Sequence, residues 1–344
     1  MKIEFFRYSL TPKSSLGAIA QPVPRSGALL KVYFSKDRIG YSDCHPWFEL
    51  GDLPLQDQLN LLQRGEVTSL TAASLQFAQV DALARSQNRS VWEGLQVPPS
   101  HALVTDLKAL TPDRLAEWKK QGFQKIKLKV GKNLSTEVDT LKQLSSDFKQ
   151  LKLQLRLDFN SMLHSDQFER FLDGIGSTQE CLDLVEDPIP YHPESWEKLQ
   201  RTRKLRLALD RVPNGFHSDF IPGSFSVLVL KPALQKKTWA MDLARTLGVS
   251  ILVTSYLDHP LGQLGATWTA AQLSQNPSVC LETCGLASHT VYQEDFWIQQ
   301  LRMDGAQLIP PEGMGFGMDE SFQKLSWNYL GVLDGEFESR LAVD

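Results

Sequence analysis

The chain has 344 residues, 42% of them hydrophobic and 22% charged, and a formal net charge of -4. A chain this long needs more than one small core, so one large domain with a smaller companion is expected. The charge is balanced and forms no basic stripe, which argues against a nucleic-acid partner, and no stretch approaches the roughly eighteen apolar residues of a membrane span.

In chain order, MKIEFFRYSL is interrupted by Glu4 and Arg7 and reads as neither a signal peptide nor an anchor. Lys2–Tyr8 and Ala28–Phe34 read as short strands, separated by the Pro/Gly/Ser-rich loop Ser14–Gly27. From Leu55 to Ser86, Leu, Ala and Gln recur at helical spacing. Strands first and helices after make an α+β unit over residues 1–100, closed by the Pro-rich Val97–Ser100.

At His101 the rhythm changes to strand then helix. The strand candidates are His101–Thr105, Gln124–Val130, Leu153–Phe159, Leu182–Glu186, Leu205–Asp210, Phe225–Leu230, Ser250–Ser255 and Ser278–Glu282. Thr111-Pro112-Asp113 opens one intervening helix with a cap residue and a first-turn proline, and Gly122 ends it. Further helices start at Pro193, run from Lys236 to Leu247 before Gly248, and run from Leu264 to Ser274. Eight alternating strands over residues 101–315 fit a TIM-type α/β barrel. An open doubly wound sheet would carry a Gly-rich turn after its first strand, and none follows Thr105. Cys44, Cys181, Cys280 and Cys284 form no C-x-x-C pair, so a reduced, cytoplasmic protein is expected. Cys280 and Cys284 lack histidine neighbours at zinc-ligand spacing.

What ends the strands carries the chemistry. Lys129, Asp158, Glu186, Asp210 and Lys231 terminate five consecutive candidates, each roughly 20–30 residues from the next, one strand–helix unit. All five therefore reach the C-terminal end of the barrel, where sites on this fold are built. Parity agrees: Lys127 and Lys129 share one face, as do Arg156, Asp158 and Asn160, while Ile126, Leu128, Leu155 and Leu157 take the other. The apolar face must pack on helices, so the charges point inward.

Three inward carboxylates repel one another unless a counter-charge joins them. Oxygen donors of this kind and number suit Mg²⁺, which leaves positions open for water or substrate. Asp158, Glu186 and Asp210 are the expected ligands. Lys127 and the cation are expected to push Lys129 toward its neutral form, making it a base. Proton abstraction beside a carboxylate follows, with the metal stabilising the enediolate. Alone, each residue has an ordinary reading: a rim lysine, a helix-capping aspartate, a turn at Glu186-Asp187-Pro188. Strand order and matched parity together single out the set. His45 and His259 read as packing or surface histidines; for Glu282, pocket lining and a structural ion pair both stay open.

These residues resemble the enolase superfamily, in its muconate-lactonizing branch: Lys127-x-Lys129, Asp158-x-Asn160, Glu186-Asp187-Pro188, Asp210 and Lys231-Pro232. The resemblance implies a (β/α)7β barrel with an N-terminal capping domain and a C-terminal segment, 316–344, packing back on it. A lysine base with a Mg²⁺-stabilised intermediate is that superfamily's known chemistry. Within the branch, Gly40–Pro46 and Asp258-His259-Pro260-Leu261-Gly262 look most like the o-succinylbenzoate synthase family. That likeness implies a small carboxylate substrate and a syn dehydration in menaquinone biosynthesis. Lys129 would be base and then acid, and Lys231 a cation over the opposite face. Asn160, Ser255 and Tyr256 would contact substrate, with Ser14–Gly27 and Cys44–Leu53 closing over it, and parity alone adds Arg156 as a contact. A dipeptide or N-acylamino acid epimerase on the same scaffold is the alternative. It typically carries Asp-x-Asp at strand eight, where this chain has Glu282-Thr283-Cys284. A non-catalytic Mg²⁺-binding scaffold and a two-carboxylate glycosidase are more distant readings. The oligomeric state is not legible.

Overall fold

Alternating burial along Lys2–Leu10 (β1), Arg25–Ser35 (β2) and Arg38–Cys44 (β3) builds one antiparallel meander, with one face covered and one wet. The structure, a computed structural model, describes residues 1–17, 23–210 and 220–333. Parts of the Ser14–Gly27 loop and of the 316–344 segment lie outside the described residues. Two helices follow the meander, Leu55–Gln63 (α1) and Ser69–Ser86 (α2). Thr68 starts α2 by accepting from the Thr71 N–H at 3.2 Å, while the Thr71 hydroxyl accepts from the Thr68 N–H at 2.9 Å. α2 packs across β3 and β2.

The barrel starts at Ala102–Val104 (β4). It continues through Pro112–Lys120 (α3), Lys125–Lys129 (β5), Leu134–Gln143 (α4), Ser145–Leu151 (α5), Gln154–Asp158 (β6) and Ser165–Ile175 (α6). Then come Leu182–Glu186 (β7), Pro193–Arg203 (α7), Leu207–Leu209 (β8), Val227–Leu230 (β9), Lys237–Leu247 (α8), Ser250–Val253 (β10) and Pro260–Ser274 (α9). Thr111 caps α3 as its sequence suggests, accepting from the Arg114 N–H at 3.2 Å. Gly248 ends α8 at φ +67°. The seven strands lie in the order β10-β9-β8-β7-β6-β5-β4, every pairing parallel.

Closure comes from an eighth stave made of single bridges. Leu281 pairs with Ile251, Gly285 with Thr254 and Cys284 with Ser100, and the His101 N–H donates to the Cys284 carbonyl at 2.8 Å. The expected strand Ser278–Glu282 is thus shifted. Asn276 Oδ1 holds the Ser278 N–H (3.0 Å) and hydroxyl (2.7 Å) in a turn, so pairing begins later. The result is a TIM-like α/β barrel with an N-terminal domain. The chain then forms the hairpin Arg302–Asp304 (β11) and Gln307–Ile309 (β12), the short helix Asp319–Gln323 (α10) and Asn328–Val332 (β13). β13 pairs antiparallel with β1, giving the N-terminal sheet the order β13-β1-β2-β3. Among the described residues no helix is long and apolar enough to cross a membrane.

Burial divides the barrel strands by parity. Ile126, Leu128, Leu155, Leu157, Val185, Leu207, Leu228 and Ile251 join the main core beneath the helices. Leu184, Ala208, Val227, Val229 and Leu252 form a separate cluster inside the barrel. The inner face of β7–β10 is therefore apolar low down and ends in Glu186, Asp210 and Lys231.

Candidate active site

Parallel register sets the level of each charged group. Lys129 lies opposite Asp158, and Asp158 opposite Glu186, on one rung of β5, β6 and β7. Glu186 pairs with Ala208, so Asp210 stands just past β8, and Lys231 follows Leu230 at the end of β9. Lys127 Nζ donates to both Glu186 oxygens at 2.6 Å and lies 2.9 Å from Asp158 Oδ2. Lys129 Nζ donates to Asp158 Oδ2 at 2.5 Å, and Lys231 pairs with Asp210. The Asn160 N–H donates to Asp158 Oδ1 at 3.1 Å from a left-handed backbone, φ +50°. Asp187, at φ +42°, accepts from the Asp210 N–H at 3.1 Å. Such non-glycine left-handed residues cost energy and cluster where strand ends are shaped for function.

The electrostatics are those of crowded acids. Burial, then repulsion from Asp158, pushes the Glu186 carboxyl up to about 8. Burial, then Asp210, pushes Asp187 up to about 7. Burial alone would raise Asp158, but Lys127 and Lys129 hold it well below the usual carboxylate range. Burial likewise works against the Lys127 ammonium, yet Asp158 and Glu186 outweigh it and keep it protonated. Asp210 Oδ1 is buried with no hydrogen-bond partner among the described residues. Among those residues no three His, Cys, Asp or Glu side chains stand close enough to enclose a metal; the carboxylates pair with Lys127, Lys129 and Lys231 instead.

Above these groups lies a cavity of about 520 Å³ between the barrel mouth and the N-terminal domain. Lys127, Lys129, Glu186, Asp210, Lys231 and Asn160 line it, with Ser255 and Tyr256 from beyond β10. Leu16 and Gly17 of the Ser14–Gly27 loop face it, as do Trp47 and Glu49–Leu53 from the segment after β3. The Ser255 hydroxyl shares a 2.5 Å hydrogen bond with Ser288. The Tyr256 hydroxyl donates to Asp52 Oδ2 at 3.0 Å, tying the barrel to the overlying loop, and Lys231 Nζ stands 5.8 Å from its ring centroid.

Arg156 is a correction. It points inward but sits one rung below, opposite Lys127, fully buried and off the cavity wall. Its Nε donates to Asp183 Oδ2 at 2.6 Å and its Nη1 to the Thr283 carbonyl at 2.5 Å, in a floor that also holds Lys125, Arg206 and Glu282. Leu155 pairs with Leu182 but Arg156 with Leu184, so Asp183 is the extra residue of a bulge that turns it inward. Glu282 is an ion-pair residue of this floor. His45 and His259 are buried packing groups, and burial holds both pKa values down. Trp47 and Asp52 come from the expected covering segment Cys44–Leu53, whereas reasoning from the sequence missed His101 and Leu103 in the cavity wall. Parity along His101-Ala102-Leu103 would have found both.

The N-terminal region, residues 3–84, matches the family model "O-succinylbenzoate synthase, N-terminal domain", and residues 111–218 match "Enolase C-terminal domain-like". The o-succinylbenzoate synthase of Bdellovibrio bacteriovorus is 32% identical over 335 residues, 96% of this chain and 99% of that protein. A muconate lactonizing enzyme structure superposes with TM-score 0.72 at 15% identity, covering 94% of this chain and 98% of that one. The Cytophaga hutchinsonii dipeptide epimerase, complexed with Mg and a dipeptide, gives 0.72 at 14% identity over 96% and 99%. At such identities the two structures show shared fold alone. The full-length relative and the two family models settle the family: the chain belongs to the o-succinylbenzoate synthase family of the enolase superfamily.

Proposed function

We propose that the protein is a Mg²⁺-dependent dehydratase that forms o-succinylbenzoate from its hydroxycyclohexadiene carboxylate precursor, a step of menaquinone biosynthesis. The observation that carries this reading is the pair Lys129 and Lys231 lining one cavity with Glu186 and Asp210, in a chain 96% of which aligns with an o-succinylbenzoate synthase. Asp158, Glu186 and Asp210 are the proposed metal ligands. All are hard oxygen donors, and the partnerless Asp210 Oδ1 and the excess of buried acid fit a divalent cation. When bound, Mg²⁺ supplies positive charge against the enediolate oxygens.

The remaining chemistry belongs to the chain. Lys129 Nζ takes the proton α to the substrate carboxylate. Protonated Lys129 then returns that proton to the hydroxyl leaving on the same face, so water departs and the ring becomes aromatic. Lys231 stays an ammonium over the other face, and Lys127 holds the carboxylates in place. Asn160, Ser255 and Tyr256 orient the substrate. The Leu16–Gly17 and Trp47–Leu53 walls exclude water. A cytoplasmic setting, with no nucleic-acid or membrane partner, belongs to the same proposal.

The test is to supply purified protein and Mg²⁺ with the cyclohexadiene precursor, and separately with dipeptides and N-acylamino acids in deuterated water. Aromatic product from the first supports the reading. Deuterium uptake at an amino acid α-carbon without any dehydration overturns it in favour of an epimerase.

A further inference from the structure

His101 stands just before β4, on the same inward face as Leu103, and both line the cavity. Arg156 Nη1 lies 3.1 Å from its Nδ1. A guanidinium only donates, so Nδ1 accepts and the ring proton sits on Nε2. Arg156 cannot turn away, because Asp183 and the Thr283 carbonyl hold its other donors. The tautomer is therefore set by the barrel floor.

Nε2 makes no hydrogen bond to any described residue, yet it is not sealed in, unlike the partnerless Nε2 atoms of His45 and His259. Its open side is the cavity. Gly285 keeps that side clear: a Cβ there would lie 2.9 Å from His101 Nε2 and 2.9 Å from Thr254 Cγ2. Burial, then the charges of Arg156, Lys127, Lys125 and Lys129, keep the ring neutral. A neutral imidazole with a fixed Nε2–H is a hydrogen-bond donor that adds no charge beside the lysines.

We propose that His101 binds substrate, donating its Nε2–H to an acceptor oxygen of the bound carboxylate on the β4 side of the cavity. This rests on the function proposed above only in taking the ligand to be such a carboxylate. ¹⁵N–¹H NMR of the histidine side chains in the full-length protein with Mg²⁺ should show the Nε2–H tautomer of His101 before any ligand is added. Saturating o-succinylbenzoate should shift that N–H signal. His101→Phe should raise KM about 10- to 100-fold with kcat changed far less, and His101→Gln, which retains an N–H donor, should recover most of the loss.

An Nδ1–H tautomer overturns the proposal. So does a ligand that saturates without moving the signal. An N-succinylated amino acid forms the second arm. If it binds and shifts Nε2–H while o-succinylbenzoate does not bind, the dehydratase reading falls and this assignment stands. If neither moves the signal, the assignment falls. Should His101→Phe fail to fold, the wild-type spectra decide.

Discussion

Asp258→Asn should stabilise the protein at alkaline pH and leave it unchanged in acid. Asp258, between β10 and α9, is buried and Asp43, on β3, is half-buried where the N-terminal domain meets the barrel. A Cβ at Gly262 would lie 2.6 Å from Oδ2 of each, so the two carboxyls crowd one point at the start of α9. Asp43 accepts from the Tyr8 hydroxyl at 2.6 Å and the His259 N–H at 3.1 Å, whereas Asp258 Oδ1 has no partner among the described residues. Neither has a lysine or arginine partner among the described residues. The titratable groups around them, Tyr8, Cys44, His45, His259 and Tyr292, are all held in their neutral forms, chiefly by burial. Burial pushes Asp258 from 3.8 up to about 7, and burial plus Asp258 raises Asp43 well above the usual range. A carboxyl with a raised folded-state pKa contributes stability that is full below its unfolded value and lost as pH rises through the folded one. For Asp258 that window runs from 3.8 to about 7. A gap of about three pH units at about 1.4 kcal/mol each is worth on the order of 4 kcal/mol. With the mean unfolding entropy for a chain this long, that is roughly 6 °C in Tm. Thermal melts of wild type and Asp258→Asn at about pH 3.5, below the window, and about pH 8, above it, measure it. The variant's advantage should be absent in acid and several degrees in base. An equal difference at both pH values would refute the linkage.

Lys129→Ala should abolish turnover while circular dichroism and Tm stay near wild type, since Asp158 keeps Lys127 as a partner; retained turnover would remove its role as base. Chelation of divalent ions should stop activity and added Mg²⁺ restore it, and activity that survives chelation would speak against the metal. Arg156→Met should cost about 3–5 kcal/mol in a urea titration, because Asp183 loses its closest arginine in a closed floor, and an unchanged midpoint would show that Lys125 suffices. Cys280 is exposed while Cys44, Cys181 and Cys284 are buried, so one thiol should react with a thiol reagent before denaturation and three only after.

Strand number and the inward charges were legible because both follow from local pattern. Parity along Lys127–Val130 and Arg156–Asn160 says which face points in, and burial follows that rule. Parity does not say which rung a residue occupies, and there Arg156 was misjudged: it is inward, but below Asp158. The bulge at Asp183 that engages it depends on a register between two strands, which neither strand's own sequence encodes. Strand eight was misplaced for a similar reason. Its pairing is a few isolated bridges around Cys284 and Gly285, too irregular to show alternation. Tyr256 lines the cavity, but its hydroxyl also donates to Asp52, roughly two hundred residues away, a contact no local pattern announces.

The barrel holds two charged layers of similar composition, and partner count separates their roles. In the floor, Lys125, Arg156, Asp183, Arg206 and Glu282 satisfy one another at close range, and none lines the cavity. A closed network of that kind specifies how the strands meet and has nothing left to offer a ligand. One rung higher the account does not close. Among the described residues Asp210 Oδ1 has no partner, Glu186 is pushed up by burial and Asp158, and Lys127, Lys129 and Lys231 border open volume. Leaving a buried carboxylate oxygen without a partner costs stability. The fold bears that cost where the N-terminal domain supplies a roof and the strand ends supply the charge. His101 joins the layers, with one nitrogen spent on the floor and the other turned to the cavity, so the floor sets which hydrogen-bond donor the site presents.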